Sequence, residues 1–118
     1  MKFRPRQRIR RRVEFQRVYD RGTRISSRYQ TIFVLPNQQD VARLGIAATK
    51  KLGGSVQRNR AKRLIREVFR RSNIASGFDI VVVPKRELLD ASLTALEADY
   101  RQTLERRIRR SSGVDPRV

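Results

Sequence analysis

Residues 50–71, KKLGGSVQRNRAKRLIREVFRR, constrain this chain more than any other stretch. A glycine pair leads into a segment whose apolar residues recur at helical spacing. At about 100° per residue, Ala61, Leu64, Ile65, Val68 and Phe69 fall on one arc of roughly 140°, wide enough to dock on a sheet. Arg58, Asn59, Arg60, Lys62, Arg63, Arg66, Arg70 and Arg71 take the remaining arc, where Glu67 is the one carboxylate. The ordinary alternative is a solvated face, but such faces usually mix signs for i, i+4 support. A face with this much unneutralised charge points to a polyanion, because each neutralised phosphate adds to affinity and to its salt dependence.

The charge is patterned along the chain. The 118 residues carry a net charge of +18. Residues 1–28 hold eleven Lys or Arg and two acids, and residues 50–71 hold nine and one. The remainder is close to neutral. Self-repulsion of this size is ordinarily offset by phosphate. Of the 29 cations, 24 are Arg, whose planar fork pairs bidentately with phosphate and stacks on bases. A GC-rich coding sequence would also raise Arg.

Other classes are narrowed by what the sequence lacks. Without cysteine there is no disulfide or thiolate chemistry. Without histidine the commonest general base and metal ligand is gone. The acids, from Glu14 to Asp115, are scattered and form no constellation of the kind a protein nuclease uses to hold metal ions. No apolar run approaches the ~20 residues of a membrane span, and MKFRPRQRIRRR lacks the apolar core of a secretory signal. A reducing cytoplasm is the expected location.

The chain reads as one domain, residues 1–118, with a flexible basic arm over residues 1–9 and a frayed tail over residues 111–118. Arg6, Arg8 and Arg10–Arg12 of the basic N-terminus could clamp an RNA backbone or serve solubility alone. From Val13, Phe15, Val18 and Tyr19 recur at i, i+3, i+4, and Gly22 stands where a left-handed C-terminal cap belongs. Residues 23–26 allow a brief strand. Residues 29–35, YQTIFVL, and 41–49, VARLGIAAT, read as strands joined by a polar turn, an expected antiparallel hairpin. Gly53-Gly54 suits a turn needing positive φ, with Ser55 as helix N-cap. A phosphate on that helix N-terminus is a further option.

Residues 79–83, DIVVV, form an almost continuous apolar run, as in a strand covered on both faces. Leu89, Leu93, Leu96, Tyr100, Leu104 and Ile108 mark one face of a closing helix, started by Ser92 or by Thr94 with Glu97. The order α-β-β-β-α-β-α predicts an α+β sandwich, helices packed on a sheet of about four strands.

Residues 43–69, RLGIAATKKLGGSVQRNRAKRLIREVF, resemble the signature block of the bacterial ribonuclease P protein subunit. Arg58-Asn59-Arg60 is followed by Lys62-Arg63-Leu64-Ile65-Arg66 at that family's spacing, with Lys50-Lys51 ahead of it. Phe15-x-x-Val18-Tyr19-x-x-Gly22 is similar to the family's first helix, and 79–83 with Lys85 to its last strand, so the resemblance spans about residues 10–108. It implies a ribosomal-protein-like fold with a left-handed crossover through the central helix, where the generic expectation is right-handed. It also implies a partner, a large catalytic RNA with bound Mg²⁺, which removes the 5′ leader of precursor tRNA endonucleolytically. The chemistry then lies in the RNA, with no metal held by the protein alone and neither a membrane nor a second protein required.

Carried over residue by residue, Lys50, Lys51, Arg58, Asn59, Arg60, Lys62, Arg63 and Arg66 match positions that contact the catalytic RNA. Phe15, Tyr19 and Phe33 match the cleft that binds the leader, although Tyr19 stands where the family often has phenylalanine. Aromatics at helical or strand spacing are ordinarily core. The alternative role is a stacking platform beside a basic groove. Two rivals share the same charge and element order: a structural RNA-binding protein such as a ribosomal component, and a double-stranded DNA binder.

Overall fold

The strand that is apolar on both faces is the one around which the sheet assembles. The computed structural model describes residues 7–111. In it β4, Phe78–Pro84, has Ile80, Val81 and Val82 fully buried. It lies between β2, Gln30–Pro36, antiparallel to it, and β3, Arg43–Ile46, parallel to it. β1, Thr23–Ser26, pairs antiparallel with β2 at the far side, giving the order β1-β2-β4-β3. Helices α1, Arg12–Arg21, α2, Ser55–Ser72, and α3, Leu93–Ser111, complete the α-β-β-β-α-β-α sequence.

The hairpin expected between residues 29–35 and 41–49 does not form. Ile32 pairs with Val82, and Val82 in turn pairs with Ile46, so β4 separates the two strands. Two effects favour this arrangement. A run apolar on both faces gains most in the centre, where both edges are bonded and both faces covered. The intervening turn is also tied to the start of β4: Asn37 donates its backbone N–H to the Gly77 carbonyl at 2.9 Å and its side-chain amide to Asp79 at 3.0 Å. The chain is thereby carried over the β4 terminus before β3 begins, and α2 is the crossover that returns it.

Alternation along the strands sorts the core into two layers. Ile32, Val34, Leu44, Ile80 and Val82 face α2 and α3, meeting Ala61, Ile65, Val68 and Phe69 from the first and Leu96, Tyr100 and Leu104 from the second. Burial pushes the Tyr100 phenol far above its ordinary range. On the other face Val81 packs with Val18 of α1 and Ile9.

Local signals held with adjustments. Ser92 caps α3, its Oγ accepting the Ala95 N–H at 3.1 Å. Asn73 ends α2 in the left-handed conformation, φ 42°. α2 begins at Ser55 with Gly54 as N-cap, and the positive φ falls on Gly53 alone, at 135°, after a 3-10 turn at Lys50–Leu52. Gly22 is extended, not left-handed, at φ −76°. Its lack of a side chain matters for another reason: a Cβ there would lie 2.5 Å from the Val18 carbonyl oxygen, so glycine lets the helix turn straight into β1.

The arm expected over residues 1–9 is in part a packed segment. Arg8 forms a β-bridge with Leu44, Ile9 donates its N–H to the Leu44 carbonyl at 2.9 Å, and Ile9 is buried. A lone apolar residue among arginines anchors the chain there and covers part of the open β3 edge. Residues 1–6 and the tail at 112–118 lie outside the described residues.

Candidate RNA interface

α2 presents its cations because its other face is committed to the sheet. Asn59, Arg60 and Arg63 are exposed, Arg58, Lys62 and Arg66 are half-buried, and Lys50 and Lys51 are exposed on the preceding turn. The charge is not uniform along the helix. Arg70 pairs with Glu67, and Arg71 lies 3.3 Å from Glu97 of α3. Among the described residues no carboxylate pairs with Arg58, Arg60, Lys62, Arg63 or Arg66, and the Nε of Arg58 is buried without a hydrogen-bond acceptor. The first turn holds no acid, so the positive end of the helix dipole adds to the same field. Unneutralised charge is thus concentrated in the N-terminal half of α2.

The three predicted aromatics converge on the opposite face of the sheet. Phe15 and Tyr19 project from α1 one turn apart with ring centroids 6.4 Å apart, and Tyr19 meets Phe33 of β2 edge-on at 4.9 Å. All three are half-buried over a buried base of Val18, Val81 and Ile9. They are neither sealed core nor free side chains. Val18 packs beneath them, while Ile32 and Val34, on the same strand as Phe33, serve the other layer. Partial burial raises the Tyr19 phenol above its ordinary value.

The position of Phe15 depends on residues that sequence reading left out. Gly45 of β3 lies beneath its ring: a Cβ there would fall 2.8 Å from the ring's Cε1 and Cζ. A glycine inside a strand is the sequence signal of such a close approach. Beside it Arg43 bridges α1 to the sheet, bonded to Glu14 and 3.5 Å from the buried Asp79. At the β3 edge Phe15, Lys62 and Arg66 line one cleft, so residues assigned to separate roles are brought together. Among the described residues no group of three or more acidic side chains could hold a metal ion, and no helix is long and apolar enough to cross a membrane.

The Arg43 hydrogen bond holds the Glu14 carboxyl below its ordinary 4.5, against an opposing push from burial. A folded-state value that is lowered means fewer protons bound when folded. The stabilisation is therefore complete above pH 4.5 and is lost as pH falls through the lowered value. Glu14→Gln should cost about 1–2 kcal/mol at pH 7 and little at pH 3. Urea melts at the two pH values check this, and equal losses at both would contradict it.

Comparison with known proteins agrees with this geometry. The Ribonuclease P family profile matches residues 3–108. The ribonuclease P protein component of Caldanaerobacter subterraneus is 37% identical over 95 residues, covering 79% of this chain and 82% of the relative. That of Clostridium novyi is 38% identical, covering 85% and 92%. The solved RNase P protein of Thermotoga maritima superposes with a TM-score of 0.76 at 32% identity, over 84% of this chain and 96% of that one. That of Staphylococcus aureus gives 0.74 at 32% identity, over 84% and 93%. With sequence and fold matched over most of both chains, this protein belongs to the ribonuclease P protein family.

Proposed function

We propose that this chain is the protein component of ribonuclease P, assisting a catalytic RNA in endonucleolytic removal of the 5′ leader from precursor tRNA. The observation that carries the reading is the pairing of two surfaces. A helix face of unpaired cations suits a folded RNA, and half-buried rings beside it suit a single strand, whose bases are free to stack. Lys50, Lys51, Arg58, Asn59, Arg60, Lys62, Arg63 and Arg66 contact the catalytic RNA in this proposal. Phe15, Tyr19 and Phe33 receive the leader. The hydrolysis belongs to the RNA and the Mg²⁺ it holds. The protein raises affinity for precursor over mature tRNA and screens phosphate repulsion so that the metal ions bind. This work is done in the cytoplasm and calls for no second protein.

The deciding experiment adds the protein to the cognate RNA and labelled precursor tRNA at low Mg²⁺. A faster cleavage rate and tighter precursor binding are expected. If neither changes, the structural RNA-binding alternative is favoured, and equal affinity for duplex DNA at matched salt would favour a DNA binder. The two surfaces should also separate by substitution. Arg60→Ala should weaken catalytic-RNA binding and lower its salt slope by about 1. Phe15→Ala should weaken leader-bearing tRNA by ~1–3 kcal/mol and spare leaderless tRNA. Equal losses on both substrates would remove Phe15 from leader binding.

A further inference from the structure

The chain finishes the two edges of its sheet differently. At the β3 edge an extended segment caps the ladder: Arg8 bridges Leu44, and Ile9 donates its N–H to the Leu44 carbonyl at 2.9 Å. At the other edge β1 has β2 as its one strand partner among the described residues. The register identifies the backbone groups left over. Ser27 donates its N–H to the Gln30 carbonyl, so these two form a hydrogen-bonded pair of the antiparallel ladder. Ile25 opposite Ile32 is the next such pair, and the N–H and C=O of Arg24 and Ser26 point out of the sheet. Both residues are exposed. Such a row of unpaired groups is a template for another strand. Its end is held in place: Ser27 Oγ lies 2.7 Å from Asp99 of α3, and Lys85 Nζ donates to Ser26 Oγ at 2.7 Å. A strand already fixed in shape loses less freedom on binding.

The side chains select the kind of strand that fits. Residues opposite each other share a face, so Arg24 and Ser26 stand on the face of Phe33, and Ile25 on that of Ile32. Arg24, and Lys85 beside Ser26, have no carboxylate partner among the described residues. Ile25 is half-buried. An added strand, alternating with period two, meets cations on one face and an apolar side chain on the other. An edge arginine ordinarily discourages pairing; here it restricts pairing to acidic strands. RNA phosphate answers the cations but offers no alternating amide donors and acceptors to the backbone. A second copy of this chain, itself at +18, brings another Arg24 to the same short ladder and is repelled.

We propose that the β1 edge docks an acidic segment of another protein, which joins the sheet as an antiparallel fifth strand. Its acids lie opposite Arg24 and Ser26, meeting the Arg24 guanidinium and the Lys85 ammonium, and the apolar residue between them lies beside Ile25. Maturation of tRNA does not call for this partner. Peptide binding therefore stands or falls independently of whether the chain accelerates cleavage.

The probe is a fluorescent octapeptide alternating Glu and Val, titrated with the full chain. Two control peptides keep its charge. One has the same residues in two blocks, and the other is N-methylated at its glutamate amides, which face β1 in an antiparallel ladder. Each loses the ladder and should bind about tenfold more weakly. Hydrogen exchange should slow at the Arg24 and Ser26 amides on binding, while the Ile25 amide, already bonded to β2, changes little. Ser26→Pro removes an outward N–H that β2 does not use, a change an edge strand tolerates. It should also cost about tenfold, and Ser26→Ala, which keeps that N–H, much less. If circular dichroism shows Ser26→Pro unfolded, exposed Arg24→Glu carries the test. It should weaken the peptide by a similar factor and favour one alternating Lys and Val. Equal binding of alternating and block peptides, protection at other amides, or no binding by the parent overturns the proposal. So does Arg24→Glu protein that loses single-stranded RNA but binds the peptide like the parent, which assigns this edge to RNA.

Discussion

Gly45→Ala should yield a folded protein that keeps most of its affinity for the catalytic RNA but loses its preference for precursor over mature tRNA. The new Cβ would lie 2.8 Å from Cε1 and Cζ of Phe15 and 3.1 Å from Cβ of Ile9. The first clash is with the far end of a half-buried ring, which can swing outward. The second needs Ile9 to yield by a few tenths of an ångström. The folding cost should therefore sit near the low end of the ~1–3 kcal/mol typical of overpacking. What is lost is the placement of the ring, and with it stacking of ~1–3 kcal/mol per base, about 5- to 150-fold in affinity. The exposed cations Arg60 and Arg63 lie on α2, away from Gly45, so their contacts survive. Dissociation constants of the reconstituted complex for leader-bearing and leaderless tRNA measure the effect. An unchanged ratio in a folded variant would show that Phe15 placement does not set the preference.

Much of this arrangement was legible in the residues because it follows from local period. The 3.6-residue repeat of Ala61, Ile65, Val68 and Phe69 told which face of α2 is buried, and hence which face keeps Asn59, Arg60 and Arg63 in solvent. The apolar run in 79–83 marked a strand covered on both sides. What it could not tell was its neighbours. Adjacency in sequence suggested that β2 and β3 pair, whereas the contact of Asn37 with Asp79, across 42 residues, routes the chain around β4. Ile9 looked like an isolated apolar residue in a basic arm because its partners, Val18 and Val81, are distant in sequence. The aromatics were ambiguous for a related reason. Spacing places Phe15, Tyr19 and Phe33 on inward faces, but only packing decides that each stops half-buried. Charge segregation within α2 was likewise hidden, since Glu97, which occupies Arg71, comes from another helix.

Arg43→Ala should have the largest effect on stability of any single substitution considered. The Arg43 side chain is 12% exposed and spans Glu14 of α1 and Asp79 of β4, whose side chain is 4% exposed. Removing it leaves Asp79 with the Asn37 amide at 3.0 Å but no cation. Breaking a buried pair from one side costs ~3–5 kcal/mol, mainly because a charge remains unpaired. That is a large share of the ~5–15 kcal/mol by which domains are stable, and corresponds to roughly 10–20 °C in Tm. The double variant Arg43→Met with Asp79→Asn removes both charges while keeping much of the volume, so it should regain most of the loss. Two thermal melts separate the explanations. If Arg43 acts by filling space, the methionine alone restores stability and Asp79→Asn adds nothing. If the unpaired Asp79 carboxylate is responsible, Arg43→Met stays low and recovers only with the second change. The same pair tests how α1 is held: leader preference should return with stability, because Glu14 and Phe15 are neighbours on the helix that Arg43 ties to the sheet.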